Sequence, residues 1–317
     1  METSPSAGAP TFVREDAAFE SRGVRCAAWV YRPAGAAPGP AAGGGPAVVM
    51  AHGFGGDRRT RLPAFAERFA AAGYVVVLFD YRTFGDSDGQ PRRLLKIRRQ
   101  HEDWRSAVAF ARSLPGVDAD RVVLWGTSLS GGHVLRVGAQ DARVAAVVAQ
   151  VPHVDGLASA LALRPTVSLA LGIRAFADLA LAAVGRGPHY VSSIGAPGSG
   201  AVLQSPDALP GWERMTAQSP EHVPVAGIVA ARVSLAMPFY SPGRAVRGLR
   251  CPVLVQVATD DVVTPPGASR KVAGRIRDVR VLEYSGGHFD PYVPPLFEQV
   301  AADQVAFLAE KVPVPAP

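Results

Sequence analysis

Ser128 is the residue of this chain best placed to do chemistry. It stands in Gly126-Thr127-Ser128-Leu129-Ser130-Gly131-Gly132, directly after the apolar run Val122-Val123-Leu124-Trp125. An apolar run, a small-residue turn with a serine at its apex and a helix-compatible segment read as strand, tight turn and helix. A serine there exposes its hydroxyl at the end of a sheet. It also lies beside a helix N-terminus whose free N–H groups can hold an oxyanion. Ser128 is therefore a candidate nucleophile.

A serine hydroxyl is a weak nucleophile at neutral pH. It needs a base, a group to orient that base, and donors for the developing oxyanion. His288, in Tyr284-Ser285-Gly286-Gly287-His288-Phe289-Asp290, is the candidate base, carried on a Gly-rich loop after the last expected strand. The other histidines fit less well. His101, His189 and His222 sit in polar or irregular contexts and read as surface or cap residues. His133 falls more than a turn beyond Ser128, and His153 is a minor competitor at a strand end. The orienting acid should end the preceding strand, and both Asp260 and Asp261 do so. Spacing alone does not choose between them. The oxyanion donors expected are the backbone N–H groups of Leu129, next to the nucleophile, and of Phe54 in His52-Gly53-Phe54-Gly55. Glycines on both sides let the Phe54 amide turn toward the site.

Other features exclude function classes. Asp80 and Arg82 lie in a turn-rich loop and read as a structural ion pair or as turn residues, ahead of a catalytic role. No His-Glu-x-x-His and no Cys/His cluster occurs, so no metal is expected. No Gly-x-Gly-x-x-Gly follows the first strand and no phosphate loop occurs, so no cofactor is expected. The net charge is +6, without a basic block interleaved with aromatics, which argues against nucleic acid. The densest basic cluster, Arg92, Arg93, Lys96, Arg98 and Arg99, reads as a solvated face, with docking of an anionic carrier protein or a cofactor-linked substrate as the lesser alternative. Cys26 and Cys251 read as buried thiols. Met1 to Pro10 has neither a basic nor an apolar signal region. The segment Val167 to Val184 is interrupted by Arg174 and Asp178 and reads as too short and too charged for a membrane span. The expectation is a cytoplasmic protein with no membrane partner and a small-molecule substrate. Oligomeric state stays open, a homodimer included.

The elements that would position these residues alternate. Strands are expected at 12–20, 24–31, 47–51, 74–80, 122–125, 144–151, 252–258 and 279–284. Helices are expected at 62–72, 101–114, 129–139, 266–276 and 294–311. Strand alternating with helix predicts a doubly wound, mostly parallel α/β sheet. From 155 to 247 the alternation stops, and the chain reads as helical or irregular with no clear strand. The domain expectation is a core of 11–154 and 248–312 interrupted by a helical cap of 155–247. The tail from Val312 reads as loose. Leu157, Leu161, Leu169, Phe176, Leu179, Met237, Phe239 and Tyr240 are the apolar cap residues available to line a pocket.

Over residues 12 to 311 the chain resembles an α/β-hydrolase-fold serine hydrolase. The resemblance rests on His52-Gly53-Phe54-Gly55, Asp80 to Gly89, Gly126 to Gly132, Asp261 to Pro265 and Gly287-His288. Within that fold it is similar to bacterial esterase-like proteins near the dienelactone-hydrolase and Xaa-Pro-peptidase-like branch. The resemblance implies an acid four residues before a proline, which favours Asp261 over Asp260. It also implies a cap inserted after the sixth strand of the common core. One departure is visible: Ser130 stands where the common Gly-x-Ser-x-Gly pattern has its last glycine, a place that requires a small residue. The expectation is a serine hydrolase that cleaves a carboxylic ester, or a related acyl bond, of a small to medium apolar substrate. A thioesterase or acyltransferase with the same triad is the alternative, and a hydrolase-like binding protein the more distant one.

Overall fold

The computed structural model describes residues 11–34, 44–219 and 227–315. The chain opens with a hairpin, β1 (Phe12–Ser21) and β2 (Val24–Pro33), turned through Arg22 and Gly23, both at positive φ. Then follow β3 (Gly45–Ala51), α1 (Leu62–Ala71), β4 (Val75–Phe79), α2 (Ile97–Ser113), β5 (Val117–Thr127), α3 (Leu129–Gly138) and β6 (Val144–Gln150). Residues 35–43, between β2 and β3, lie outside the described residues.

After β6 the chain leaves the sheet. It forms α4 (Gly156–Leu161), α5 (Pro165–Ala183), β7 (Tyr190–Ser192), α6 (Ala208–Ala217), β8 (Ile228–Ala230) and α7 (Val233–Ala236). It returns as β9 (Val253–Ala258), α8 (Pro266–Ala273), β10 (Val279–Tyr284) and α9 (Leu296–Lys311). The sheet is eight-stranded, in the order β1-β2-β4-β3-β5-β6-β9-β10. Strands β3, β4, β5, β6, β9 and β10 run parallel, and the N-terminal hairpin joins antiparallel to β4. The architecture is the mostly parallel, doubly wound sheet expected from the alternation.

Period-two alternation divides the strand residues between two covered faces. Val49, Phe79 and Leu124 point to the face that also holds Trp104 of α2 and Val134 of α3. Met50, Leu78 and Trp125 point to the other, with Phe65 of α1 and Phe297 of α9. This puts the C-terminal ends of β3, β5, β9 and β10 at one edge, where the loops of the site emerge.

Three expectations are corrected. The excursion between β6 and β9 contains strand after all, since β7 and β8 pair antiparallel. The segment around Val167–Val184 is, by length and composition, long and apolar enough to cross a membrane, because the helix starts at Pro165 and carries only two charges. In the fold both charges turn inward. Arg174 Nη1 donates to the Gly200 carbonyl at 2.8 Å, and buried Asp178 pairs with Arg232. The apolar side chains Leu169, Ile173 and Phe176 turn outward instead. Finally, the tail is not loose at Val312, which is buried and whose carbonyl accepts the Tyr74 hydroxyl at 3.1 Å.

Candidate active site

The turn between β5 and α3 is tight because two backbone segments nearly touch there. A Cβ on Gly126 would fall 2.3 Å from the Ser130 carbonyl oxygen, so only glycine fits. Ser128 takes φ 55° and ψ −121°, a region that non-glycine residues rarely occupy. Its carbonyl accepts the His153 amide at 2.9 Å and its amide donates to Gln150 at 2.9 Å, which fixes the elbow to β6 and the chain beyond it. Ser130, in the place of the usual glycine, is fully buried, and its hydroxyl lies 2.8 Å from that of Tyr81. Serine is small enough for the approach and finds a partner.

The elbow faces His288, whose Nε2 is 3.0 Å from Ser128 Oγ. Asp261 Oδ2 lies 2.6 Å from His288 Nδ1. Because a carboxylate only accepts, Nδ1 carries the hydrogen and Nε2 presents its lone pair to the serine. Asp261 is buried and further held by the Val263 and Thr264 amides at 2.8 and 2.7 Å and by the Thr264 hydroxyl at 2.6 Å. Burial works against its charge, but the His288 ring and these hydrogen bonds prevail and hold the carboxyl below its ordinary value. Asp260 does not join them. It is exposed, and its Oδ2 accepts the Gly286 amide at 3.2 Å.

Phe54 and Leu129, whose amides are the expected oxyanion donors, line one cavity together with Ser128. Leu129 opens α3, where an N–H has no intrahelical acceptor. Among the described residues neither amide donates a hydrogen bond. Gly53 allows the close approach, since a Cβ there would lie 3.1 Å from the Ser128 Cβ.

Two cavities meet at Ser128, Phe54 and Leu203. The larger spans about 840 Å³, open solvent at its mouth included, between Leu129, Leu163, Leu171, Met237 and Val263. The smaller, about 410 Å³, lies on the other side of the serine against His52, Trp212, His288 and Tyr292. Of the cap residues expected to line a pocket, only Met237 does. Leu157, Leu161, Leu169, Phe176, Leu179 and Phe239 are exposed, Phe239 to 87%, and Tyr240 is buried under α3.

That burial exposes another misreading. His101 is not a surface residue. Its Nε2 lies 3.0 Å from the Tyr240 hydroxyl, which is 2.6 Å from His133 Nδ1, while His133 Nε2 meets Gln100 at 2.9 Å. His153 lines the larger cavity, and its Nε2 faces the Tyr240 carbonyl at 3.3 Å. Burial drives His101 and His153 each down to about 4. His189 is exposed, and His222 lies outside the described residues.

Asp80 is buried in an ion pair with Arg58 and also accepts the Arg58 amide at 2.7 Å. Arg82 pairs with Asp103 and with Glu102. Both belong to the scaffold under the site. In the basic cluster, Arg92 donates to the carbonyls of Ser87 and Gly85, while Lys96 and Arg98 are exposed. Cys26 and Cys251 are buried free thiols. Among the described residues no group of three or more His, Cys, Asp or Glu side chains could hold a metal ion.

The family model of X-Pro dipeptidyl-peptidases (S15 family) matches residues 22–180, from β2 through the elbow into α5. The chain belongs to this family. Over 299 residues the S15-family chain is 43% identical to the quorum-quenching protein AidA of Acinetobacter baumannii (strain MDR-ZJ06), covering 94% of this chain and 95% of that protein. Over 312 residues it is 30% identical to the polyketide transferase ATR5 of Stachybotrys chlorohalonatus (strain IBT 40285), covering 93% and 96%. Among solved structures, the α/β hydrolase GrgF from Penicillium sp. sh18 is similar with a TM-score of 0.76 at 24% identity, covering 95% of this chain and 99% of that one. The S15-family chain is thus a hydrolase of the α/β-hydrolase fold.

Proposed function

We propose that this S15-family hydrolase cleaves a carboxylic ester, or a related acyl bond, through a Ser128-His288-Asp261 triad. The observation that carries the reading is the unbroken contact from Ser128 Oγ through His288 to Asp261, at 3.0 and 2.6 Å, where two cavities meet. His288 Nε2 takes the Ser128 proton as Oγ attacks the acyl carbon. The Phe54 and Leu129 amides hold the negative oxygen. His288 then returns the proton to the leaving oxygen, and an acyl-Ser128 ester remains. Water enters where the alcohol left and gives a proton to His288 as its oxygen attacks the acyl carbon; the bond from that carbon to Ser128 Oγ then breaks, Oγ takes the proton back from His288, and the acid leaves. The group that accepts a proton from His288 must lie beside it. Since His288 lines the smaller cavity and not the larger, the leaving group occupies the smaller and the acyl chain the larger. The larger cavity's apolar walls suit a small to medium apolar acyl group.

The test is hydrolysis of p-nitrophenyl esters of increasing acyl length by the wild type and by Ser128→Ala, with fluorophosphonate labelling of both. Turnover and labelling that vanish in Ser128→Ala are expected. Turnover surviving in Ser128→Ala, or none with any ester and no labelling of the wild type, would overturn the reading.

A second reading keeps the acyl-enzyme and changes the acceptor. An alcohol or amine seated in the smaller cavity would take the acyl group in place of water. The room beside His288 and the polyketide transferase among the relatives favour it. Acyl transfer to an added alcohol, faster than hydrolysis, identifies this case.

A further inference from the structure

Two residues that line the smaller cavity each carry a polar side-chain atom without a partner. Trp212 Nε1 and His52 Nε2 are both buried and make no hydrogen bond. Both residues line this cavity, and both come from elements that otherwise pack closely. Gly56 lies between them: a Cβ there would meet Trp212 Cη2 at 3.6 Å, His52 Cβ at 3.8 Å and Thr60 Oγ1 at 3.4 Å. The other polar lining groups are engaged. Thr60 Oγ1 accepts the Asp57 amide at 3.3 Å, and the Thr127 and Tyr292 hydroxyls bond each other.

The two atoms are complementary. An indole N–H only donates. His52 Nδ1 lies 2.9 Å from the Gly53 carbonyl, which only accepts, so Nδ1 carries the ring hydrogen. Burial keeps the ring neutral by lowering its affinity for a second proton. His52 Nε2 is then a bare acceptor. Buried polar atoms are normally paired, and an unpaired donor and an unpaired acceptor are each costly in an apolar enclosure. The cavity has no Asp, Glu, Lys or Arg in its lining, so a charged ligand group would be left without a counter-ion.

We propose that the smaller cavity selects a short, uncharged leaving alcohol that carries one hydrogen-bond acceptor for Trp212 and one donor for His52, a carboxamide being the simplest such group. This inference rests on the serine acyl-transfer reading above and names the alcohol side of its substrate. The bond that breaks joins the acyl carbon to this alcohol's oxygen, which receives its proton from His288. In the transfer direction the same alcohol loses that proton to His288 and forms the new ester.

Two butanoyl esters of equal shape make the test. One is the ester of glycolamide, the other that of 2-methylpropan-1-ol, in which a CH(CH3)2 replaces the CONH2. The glycolamide oxygen leaves faster from any enzyme because it is more acidic. The readout is therefore the change in the ratio of the two kcat/KM values between wild type and Trp212→Phe, which keeps an aromatic ring and removes the N–H. The ratio is expected to fall about tenfold, the effect of one buried hydrogen bond. A second measurement needs no variant. With p-nitrophenyl butanoate as donor, glycolamide and 2-methylpropan-1-ol compete with water for the wild-type acyl-enzyme. Glycolamide is the weaker nucleophile, so its capture at about tenfold lower concentration supports the inference. An unchanged ratio, or better capture by 2-methylpropan-1-ol, overturns it while leaving Ser128-dependent turnover in place. Turnover of neither ester nor of p-nitrophenyl butanoate overturns the triad reading, and the inference with it.

Discussion

Asp261 meets His288 through one carboxylate oxygen, at 2.6 Å, and turns the other to the amides of Val263 and Thr264. Both oxygens are occupied, so the carboxylate cannot rotate without losing a partner. Replacing it with Asn would leave one side without its charge and offer an N–H where His288 already donates. Asp261→Asn is expected to lower kcat/KM roughly 10³–10⁴-fold. Asp260→Asn, at an exposed carboxylate that accepts the Gly286 amide but does not reach His288, is expected to stay within about twofold. Equal losses in the two variants would reject the assignment. The Asp261 carboxyl sits below its ordinary value, so its contribution to stability is complete at neutral pH and is lost as pH falls through that lowered value.

That pair also shows which parts of the site the sequence could disclose. The elbow was readable because each of its requirements is local: an apolar run, Gly126, Ser128 and a small Ser130 follow one another. His288 was readable from a glycine-rich loop after a strand. Asp260 and Asp261 share every local feature, and only tertiary packing separates them, since one faces His288 and the other solvent. The cap was harder. Its helix α5 carries Arg174 and Asp178 on the inward side and Leu169, Ile173 and Phe176 on the outward side, the reverse of the usual amphipathic rule. A pocket assigned by apolarity alone therefore picked exposed residues. His101 misled in the same way, because charged neighbours on α2 concealed an inward-facing row of Gln100, His101, Asp103 and Trp104. Trp212 gave no local signal at all.

Ser128 keeps an unfavourable backbone conformation to present its hydroxyl. Strain of this kind costs on the order of 1–3 kcal/mol, and glycine relieves it at an entropic cost of roughly 0.5–1 kcal/mol. Ser128→Gly is expected to raise unfolding stability by about 1 kcal/mol while abolishing ester turnover. Urea denaturation of the two proteins side by side decides it. A variant no more stable than wild type would show that the elbow is not strained.

Ser130 and Tyr81 form a hydroxyl pair 2.8 Å apart, and Trp104 Nε1 donates to the same Tyr81 oxygen at 2.8 Å. Tyr81→Phe would leave the indole N–H and the Ser130 hydroxyl buried without that partner, and is expected to cost about 2–4 kcal/mol. Ser130→Ala removes one of the orphaned groups and should cost about 1–2 kcal/mol. In the double variant the losses should fall short of their sum by roughly 1 kcal/mol, because the hydrogen bond is removed only once. Strict additivity in a double-mutant cycle would mean that the two hydroxyls do not interact.

His101 and His153 make stability depend on pH below neutrality. Burial is the main cause of their lowered values, aided for His101 by Arg136 and Arg105, and each falls from 6.5 to about 4. In the unfolded chain both regain the ordinary value. Between pH 6.5 and 4 the unfolded state therefore binds more protons than the folded one, and stability decreases as pH falls. Each histidine is expected to remove about 2 kcal/mol between pH 7 and pH 5. His101→Gln keeps a polar side chain at the Tyr240 hydroxyl and cannot titrate. Its absolute stability is not the readout, since any change in that network alters it. The slope is: urea midpoints at pH 7 and pH 5 should lie closer together in His101→Gln than in the wild type. An identical separation in both proteins would mean that His101 is protonated in the fold or exposed to water, and that the buried network is not held neutral.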